Sequence, residues 1–249
     1  MIANHGTEGP VTYPEPIMDE QASTSVIAFF DVDNTLIHGA SAFHLVRGLR
    51  AAGLITVRDI VGAVWKQARF KVRGENDRHL ASARLRGLEV LTGVPVADMA
   101  RLADHVYDRH TEAAVWPEMA RVARDHVEQG HQVWLVTASP AFLAEVIAER
   151  LGLTGAIASG LEVHDGIYTG RPDGEFLHGE HKAAAARRLL ERTGADPAGC
   201  WAYSDSRHDI PLLSIVGHPV VVNPDRQLAA HARAAGWPVL DPRRTGRPA

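Results

Sequence analysis

Two aspartates one residue apart, Asp31 and Asp33, close an apolar run from Val26 to Phe30, in the order Phe29-Phe30-Asp31-Val32-Asp33-Asn34-Thr35-Leu36. In an extended chain residues i and i+2 share a face. Two carboxylates that close repel by about 4 kcal/mol at an effective dielectric of roughly 20, so they need a cation, a shared proton, or divergence at the strand end. A site that handles a metal and a proton meets that need. A turn or helix cap after a strand is the plainer alternative.

Three more clusters share this form. Val133 to Val136 runs into Thr137-Ala138-Ser139-Pro140 ahead of a helix, where a hydroxyl and free N–H groups can hold an anion or simply cap. Lys182 lies in the first turn of a helix expected over Glu180 to Arg192. Positive charge there opposes the helix dipole by about 0.3 to 1 kcal/mol, a penalty that an anionic ligand reverses. A solvated lysine is the ordinary alternative. Last, Trp201 to Tyr203 leads into Ser204-Asp205-Ser206-Arg207-His208-Asp209, and a turn or helix starting at Ser204 lets Asp205 and Asp209 face one point. Oxygen ligands in that number suit magnesium, which holds few protein carboxylates and keeps waters or phosphate oxygens for the rest.

The elements that must position these residues follow from the apolar pattern. Val26 to Phe30, Val133 to Val136, Trp201 to Tyr203 and Val220 to Val222 are apolar throughout, as strands covered on both faces are. Helices are expected between them, with Pro117 to Gln129 ending at Gly130, Ala141 to Leu151 at Gly152, and Glu180 to Arg192 near Gly194. The alternation predicts an α/β fold with a doubly wound, mostly parallel, Rossmann-like sheet, whose ligand site lies at the carboxyl ends of the strands. All four clusters occupy such ends.

One interval breaks the alternation. From Ser41 to Val115 the apolar residues keep helical spacing, with Thr56 as an N-cap before Ile60, Val61, Val64, Trp65 and Ala68, and Pro95 opening a helix through Tyr107. The domain expectation is thus a catalytic core of residues 25–40 plus 116–241 and a helical cap of residues 41–115. Residues 1–24, with Gly and Pro among scattered acids, and residues 242–249 are expected to be loose ends.

Composition narrows the function classes. The chain has 249 residues, 45% hydrophobic and 22% charged, with a formal net charge of -4. That balance is globular and offers no positive field for nucleic acid or an anionic membrane, leaving a small molecule as the expected partner. The oligomeric state is not encoded in these features. A single cysteine, Cys200, excludes an internal disulfide and a cysteine-based zinc site. Without an apolar span or a signal pattern, a cytoplasmic location is the expectation. The basic stretch Lys66 to Arg73 reads as a solvated face, Trp65 and Trp134 as core, and the 14 histidines as scattered residues with no ligand pair.

Together the four clusters resemble the haloacid dehalogenase superfamily, in its phosphoserine-phosphatase-like branch with a helical cap. Asp31-Val32-Asp33-Asn34-Thr35 is similar to the first family motif, Thr137 to the second, Lys182 to the third, and Asp205 with Asp209 to the fourth. The likeness covers roughly Val26 to Leu240. It implies a magnesium-dependent phosphomonoesterase acting on a small phosphorylated metabolite. Asp31 would be the nucleophile that becomes an aspartyl-phosphate, and Asp33 the general acid and base. The resemblance further implies that Asp31, the Asp33 carbonyl and Asp205 hold Mg²⁺ with Asp209 in support, while Thr137, the Ala138 N–H and Lys182 cradle the phosphoryl oxygens. Two places depart from the family pattern. Phosphoserine-specific members carry an acid about nine positions after the nucleophile, where this chain has Ala40, and Ser206 and His208 stand where Gly and Asn are commoner. Transfer to an acceptor other than water could use the same intermediate. A phospho-receiver module or an inactive substrate-binding relative would share the residue types, but a receiver takes its phosphorylated aspartate from a middle strand.

Overall fold

The structure, a computed structural model, describes residues 25–56 and 89–244. Its organising element is β1 (Ile27–Phe30), every residue of which is buried. Because side chains alternate along a strand, Ile27 and Phe29 enter one hydrophobic core while Ala28 and Phe30 enter another on the opposite face. Parallel partners flank it. On one side lies β2 (Gln132–Pro140), with Phe30 opposite Leu135, and on the other β5 (Trp201–Ser204), with Phe30 opposite Tyr203.

The sheet has seven strands in the order β4-β3-β2-β1-β5-β6-β7, where β3 is Gly155–His164, β4 Ile167–Asp173, β6 His218–Val222 and β7 Val239–Leu240. All neighbours are parallel except β3 and β4. The order runs outward in both directions from β1. Chain connections therefore diverge at its carboxyl end and leave a crevice there.

Six of the helices complete the layers: α1 (Ser41–Ala51), α2 (Val96–Val106), α3 (Pro117–Glu128), α4 (Ala141–Arg150), α5 (Glu180–Thr193) and α7 (Arg226–Ala235), with the single turn α6 (Ile210–Leu213) before the last. Met119, Leu143 and Ile147 from α3 and α4 pack with Phe30, whereas Leu189, Leu212 and Leu228 from α5, α6 and α7 pack with Phe29. Both faces of β1 are thereby covered.

The four expected strands and those expected helices that fall within the described residues are present, with several differences. Strands β3, β4 and β7 were not anticipated. β3 is only half-buried and rich in Gly, Ala and Ser, and β4 carries Gly170 and Pro172, so neither has an apolar run. The readable signal was Asp165-Gly166, whose positive φ values of 50° and 72° form a tight hairpin turn. β2 continues through Thr137, Ala138 and Ser139 to Pro140 with a register irregularity, so these residues stand on the strand, Pro140 is the N-cap of α4, and no side chain caps it. The C-terminal Pro242–Arg244 forms a 3-10 turn, held by Arg243 donating to Asp241 at 2.7 Å.

Within the described part of the insert, α1 and α2 pack together and α2 also meets α4. Leu45, Met99 and Leu102 join the core that contains Phe30, which extends that core instead of making a separate one. The helix expected after Thr56 and the basic stretch Lys66 to Arg73 lie outside the described residues, as do residues 1–24 and 245–249.

Candidate active site

Asp31 leaves the end of β1 with its backbone N–H still bonded to the Tyr203 carbonyl at 2.9 Å, so the ladder holds it in line with β5. The chain then folds back sharply. The N–H groups of Leu36 and Ile37 both reach the Val32 carbonyl at 3.0 Å, and Asn34 pairs with Gly39 through its own N–H and its side-chain oxygen. Asn34 (φ 56°) and Gly39 (φ 85°) take the left-handed backbone that this loop requires. Asp33 is thereby delivered beneath the start of α1, where its Oδ1 accepts the Ser41 N–H at 2.8 Å.

Opposite Asp31 stands Lys182, which is 4% exposed in the first turn of α5. Its Nζ donates to Asp31 Oδ1 at 2.5 Å and to Asp209 Oδ2 at 2.8 Å, joining residues 151 and 27 positions away along the chain. The same Asp209 oxygen accepts the Ser204 hydroxyl at 2.7 Å, and the second Asp31 oxygen accepts Thr35 Oγ1 at 3.3 Å. Gly179 precedes α5 at φ 57°, ψ -122°, a conformation that favours glycine and starts the helix within reach of the loop around His208.

Asp205 emerges one residue beyond the end of β5, next to β1, and neighbouring strands lie about 4.8 Å apart. The Asn34 amide donates to its carboxylate, and Asn223 Nδ2 donates to the Asn34 carbonyl at 3.0 Å. Loops after β1, β5 and β6 are thus tied together. Thr137 is 2% exposed on β2, where its Oγ1 accepts the Ser139 N–H at 3.1 Å. Ser139 Oγ in turn meets Ser41 Oγ at 2.5 Å, and the Ala138 carbonyl accepts Ser159 Oγ at 3.1 Å. The expected residues Asp31, Lys182 and Asp209 are in direct contact. Asp33, Thr137, Ala138 and Asp205 ring them on adjacent strand ends. Asp209 faces Lys182 and Ser204 through Oδ2.

The electrostatics show an excess of buried negative charge. Burial works against the charged form of Lys182, but the Asp31 and Asp209 carboxylates outweigh it and hold the ammonium above the ordinary lysine range. Burial pushes the Asp31 carboxyl up to about 7 against the pull of Lys182, with Asp209 and Asp33 adding to the rise. Asp205 goes up to about 6, from burial first and then Asp209, with Lys182 and Asn34 opposing. One ammonium does not neutralise these carboxylates, and a divalent cation would. Among the described residues no three His, Cys, Asp or Glu side chains gather tightly enough to hold a metal by themselves. Asp31, Asp205 and the Asp33 carbonyl are oxygen donors of the kind that Mg²⁺ takes when water or phosphate completes its shell.

The residues that the sequence pattern did not single out are Ser41, Ser139, Ser204, Asn34 and Thr35. Ser41, Ser139 and Asn34 act through hydrogen bonds to neighbours across the fold, which spacing does not mark, while Thr35 and Ser204 bond acids four and five residues away. Asn34 and Thr35 do lie inside the Asp31 motif. Ala40, nine residues after Asp31, is the exposed N-cap of α1 and presents only a methyl group.

Comparison with known proteins agrees with this arrangement. The chain is 43% identical over 242 residues to phosphoserine phosphatase SerB1 of Mycobacterium tuberculosis, across 94% of this chain and 79% of that one. A solved structure from Bordetella pertussis Tohama I, described as a protein with unknown function, superposes with a TM-score of 0.78 at 28% identity and covers 88% of this chain and 100% of that one. The fold is also that of a phosphoserine phosphatase solved with an analogue of its phospho-aspartyl intermediate, at TM-score 0.58 and 19% identity over 83% of this chain and 90% of that one. The model of the haloacid dehalogenase-like hydrolases matches residues 28–214, and the chain belongs to that family.

Proposed function

We propose that this chain is a Mg²⁺-dependent phosphomonoesterase that hydrolyses a small phosphorylated metabolite through an aspartyl-phosphate on Asp31. The observation that carries the reading is the buried Lys182 ammonium held between Asp31 and Asp209. It supports reading Asp31 as the nucleophilic carboxylate and Lys182 as the phosphate-binding cation, with Asp33 on the next turn of chain.

In the first step an Asp31 oxygen bonds to phosphorus as the ester P–O bond breaks, and Asp33 gives its proton to the departing oxygen. Water then attacks the acyl phosphate, returning a proton to Asp33, and the products are the Asp31 carboxylate and inorganic phosphate. Lys182, the Thr137 hydroxyl and the Ala138 N–H hold the phosphoryl oxygens where charge develops. Asp33 is oriented for its two proton transfers by the Ser41 N–H. Asp31, the Asp33 carbonyl and Asp205 would hold Mg²⁺, with Asp209 supporting Lys182. The metal would supply charge neutralisation between carboxylates and substrate.

The relative's name suggests phosphoserine as one substrate. Ala40 leaves no acid where an ammonium partner would stand, so the proposal extends to small phosphomonoesters in general. The helical segment 41–115 is the proposed cap. The test uses p-nitrophenyl phosphate with Mg²⁺. Asp31→Asn is expected to lose nearly all turnover while unfolding at a temperature no lower than the wild type, and EDTA is expected to silence the wild type reversibly. Substantial activity in purified Asp31→Asn would falsify the nucleophile assignment. Added alcohols test transfer, since leaving group in persistent excess over free phosphate would mean an acceptor other than water.

A further inference from the structure

Two buried serines stand where two helices begin. Ser41 is the first residue of α1, and Ser139 precedes Pro140, the N-cap of α4. A serine hydroxyl beside a helix start ordinarily accepts one of the free N–H groups of that helix, yet the N-cap of neither helix makes a side-chain bond. The two hydroxyls face each other instead, Oγ to Oγ at 2.5 Å across 98 positions of chain. This contact joins the first helix of the insert to the strand that carries Thr137.

Each serine also holds a residue of the proposed chemistry through its backbone. The Ser41 N–H donates to Asp33 Oδ1 at 2.8 Å, and the Ser139 N–H donates to Thr137 Oγ1 at 3.1 Å. Because Thr137 Oγ1 accepts that bond, its hydrogen is left to donate to a phosphoryl oxygen. The peptide between Thr137 and Ser139 is braced from another side, since the Ala138 carbonyl accepts Ser159 Oγ at 3.1 Å while Ser159 Oγ accepts the Leu177 N–H at 3.2 Å. The end of β2 is thus fixed, and the hydroxyl pair carries its position through Ser41 to the Asp33 carboxylate.

We infer that Ser139 is a positioning residue for acid catalysis: through the Ser41 hydroxyl it sets how far the Asp33 carboxylate stands from the phosphoryl group held by Thr137. The inference rests on the phosphomonoesterase reading above and adds a residue that acts only through its neighbour. An acid gives up its proton to the departing oxygen within about 3 Å, and a misplacement of about 1 Å costs on the order of 10²-fold in rate. Asp33 and Thr137 come from segments more than a hundred positions apart, so the chain itself does not hold that spacing. The serine pair holds it from side to side.

The test separates protonation from binding by the basicity of the leaving oxygen. p-Nitrophenolate departs with little help from an acid, whereas the oxygen of benzyl phosphate needs a proton, and the two esters are alike in size. Both are assayed with Mg²⁺ on one enzyme sample, so the ratio of kcat/KM for benzyl phosphate to that for p-nitrophenyl phosphate does not depend on the fraction of molecules folded. Ser139→Ala is expected to lower this ratio about tenfold, part of the roughly 10² to 10⁴ that a positioned acid contributes. Ser41→Ala reads the same contact from its other side and should lower the ratio as far, with the double variant no lower than either. Ser139→Thr keeps the hydroxyl and should restore the ratio in part. Ser159→Ala, which loosens β2 without touching Ser41, should leave the ratio unchanged.

A loss shared equally by both esters, an unchanged ratio in Ser139→Ala and Ser41→Ala, or an equal drop in Ser159→Ala would overturn the inference and leave the phosphatase reading standing. A wild type that cleaves p-nitrophenyl but not benzyl phosphate would overturn it too, since no acid would be at work for Ser139 to position. Failure of the wild type with Mg²⁺ on both esters would instead remove the phosphatase reading, and the inference with it.

Discussion

At the scale of the residue, the site gathers buried carboxylates around one lysine, which offsets only part of their charge. Asp31, Asp209 and Lys182 are all at most 5% exposed, and a buried ion pair that loses a partner typically costs about 3 to 5 kcal/mol. Lys182→Met is therefore expected to lower the urea midpoint strongly, because two carboxylates are left facing each other without their cation. Adding Asp209→Asn to Lys182→Met should recover part of that loss by removing one of the two charges. A double variant no more stable than the single one would show that Asp209 does not repel Asp31. Ser204 makes the smaller contribution, a hydroxyl donated to Asp209 at 2.7 Å. Ser204→Ala should cost about 1.5 to 3 kcal/mol, the range for a hydrogen bond to a charged group, read by the same unfolding curves.

At the scale of the element, one end of the sheet carries chemistry and the other carries only packing. β1, β2 and β5 end in the acids, hydroxyls and amides of the site, while the turn before β6 is a close backbone crossing. Gly217 N–H bonds to the Pro197 carbonyl at 2.8 Å, and a Cβ at Gly217 would overlap the Ala198 carbonyl oxygen. The obstacle is backbone and cannot swing aside. Gly217→Ala is expected to destabilise by about 1 to 3 kcal/mol, as overpacking does, yet to leave kcat per folded molecule unchanged, because Gly217 lies at the amino end of β6 and the site at the carboxyl ends. Thermal unfolding and active-site titration separate the two effects, and a matching fall in kcat would show that the ends are coupled.

At the scale of the whole molecule, the helices of one layer reach the sheet through a polar chain in the core. His126 on α3 is 5% exposed, with Nε2 2.8 Å from the Tyr203 hydroxyl on β5 and Nδ1 2.8 Å from Nδ1 of His131. Phe30, Trp201 and Tyr203 stack along the same face. Burial, then His131, lowers the His126 pKa to about 4, with Asp125 opposing. The native protein thus resists a proton that the unfolded chain accepts near pH 6.5. Stability from this residue is complete above about 6.5 and is lost as the pH falls toward 4. The melting temperature should drop across that window, and His126→Leu should show a shallower drop while starting lower at neutral pH, because the Tyr203 hydroxyl is left without its partner. Equal slopes would assign the acid sensitivity elsewhere. The described residues also form a cavity of about 550 Å³ lined by Trp201, His218 and Trp237, at the amino ends of β5 and β6 and remote from the carboxylates. No helix among them is long and apolar enough to cross a membrane.

The sequence by itself determined the strands that are buried on both faces, because such strands have no polar side and read as unbroken apolar runs, and it marked the acids and the lysine at their ends. It did not determine the half-buried hairpin of β3 and β4, whose residues need only one covered face, nor that Thr137 stays on a strand. Only the tertiary structure decided that Lys182 bridges Asp31 and Asp209, that Asn34 holds Asp205, and that Ser139 meets Ser41. Those contacts join residues far apart in the chain. Local propensity is blind to them, since their energy exists only once the sheet has assembled.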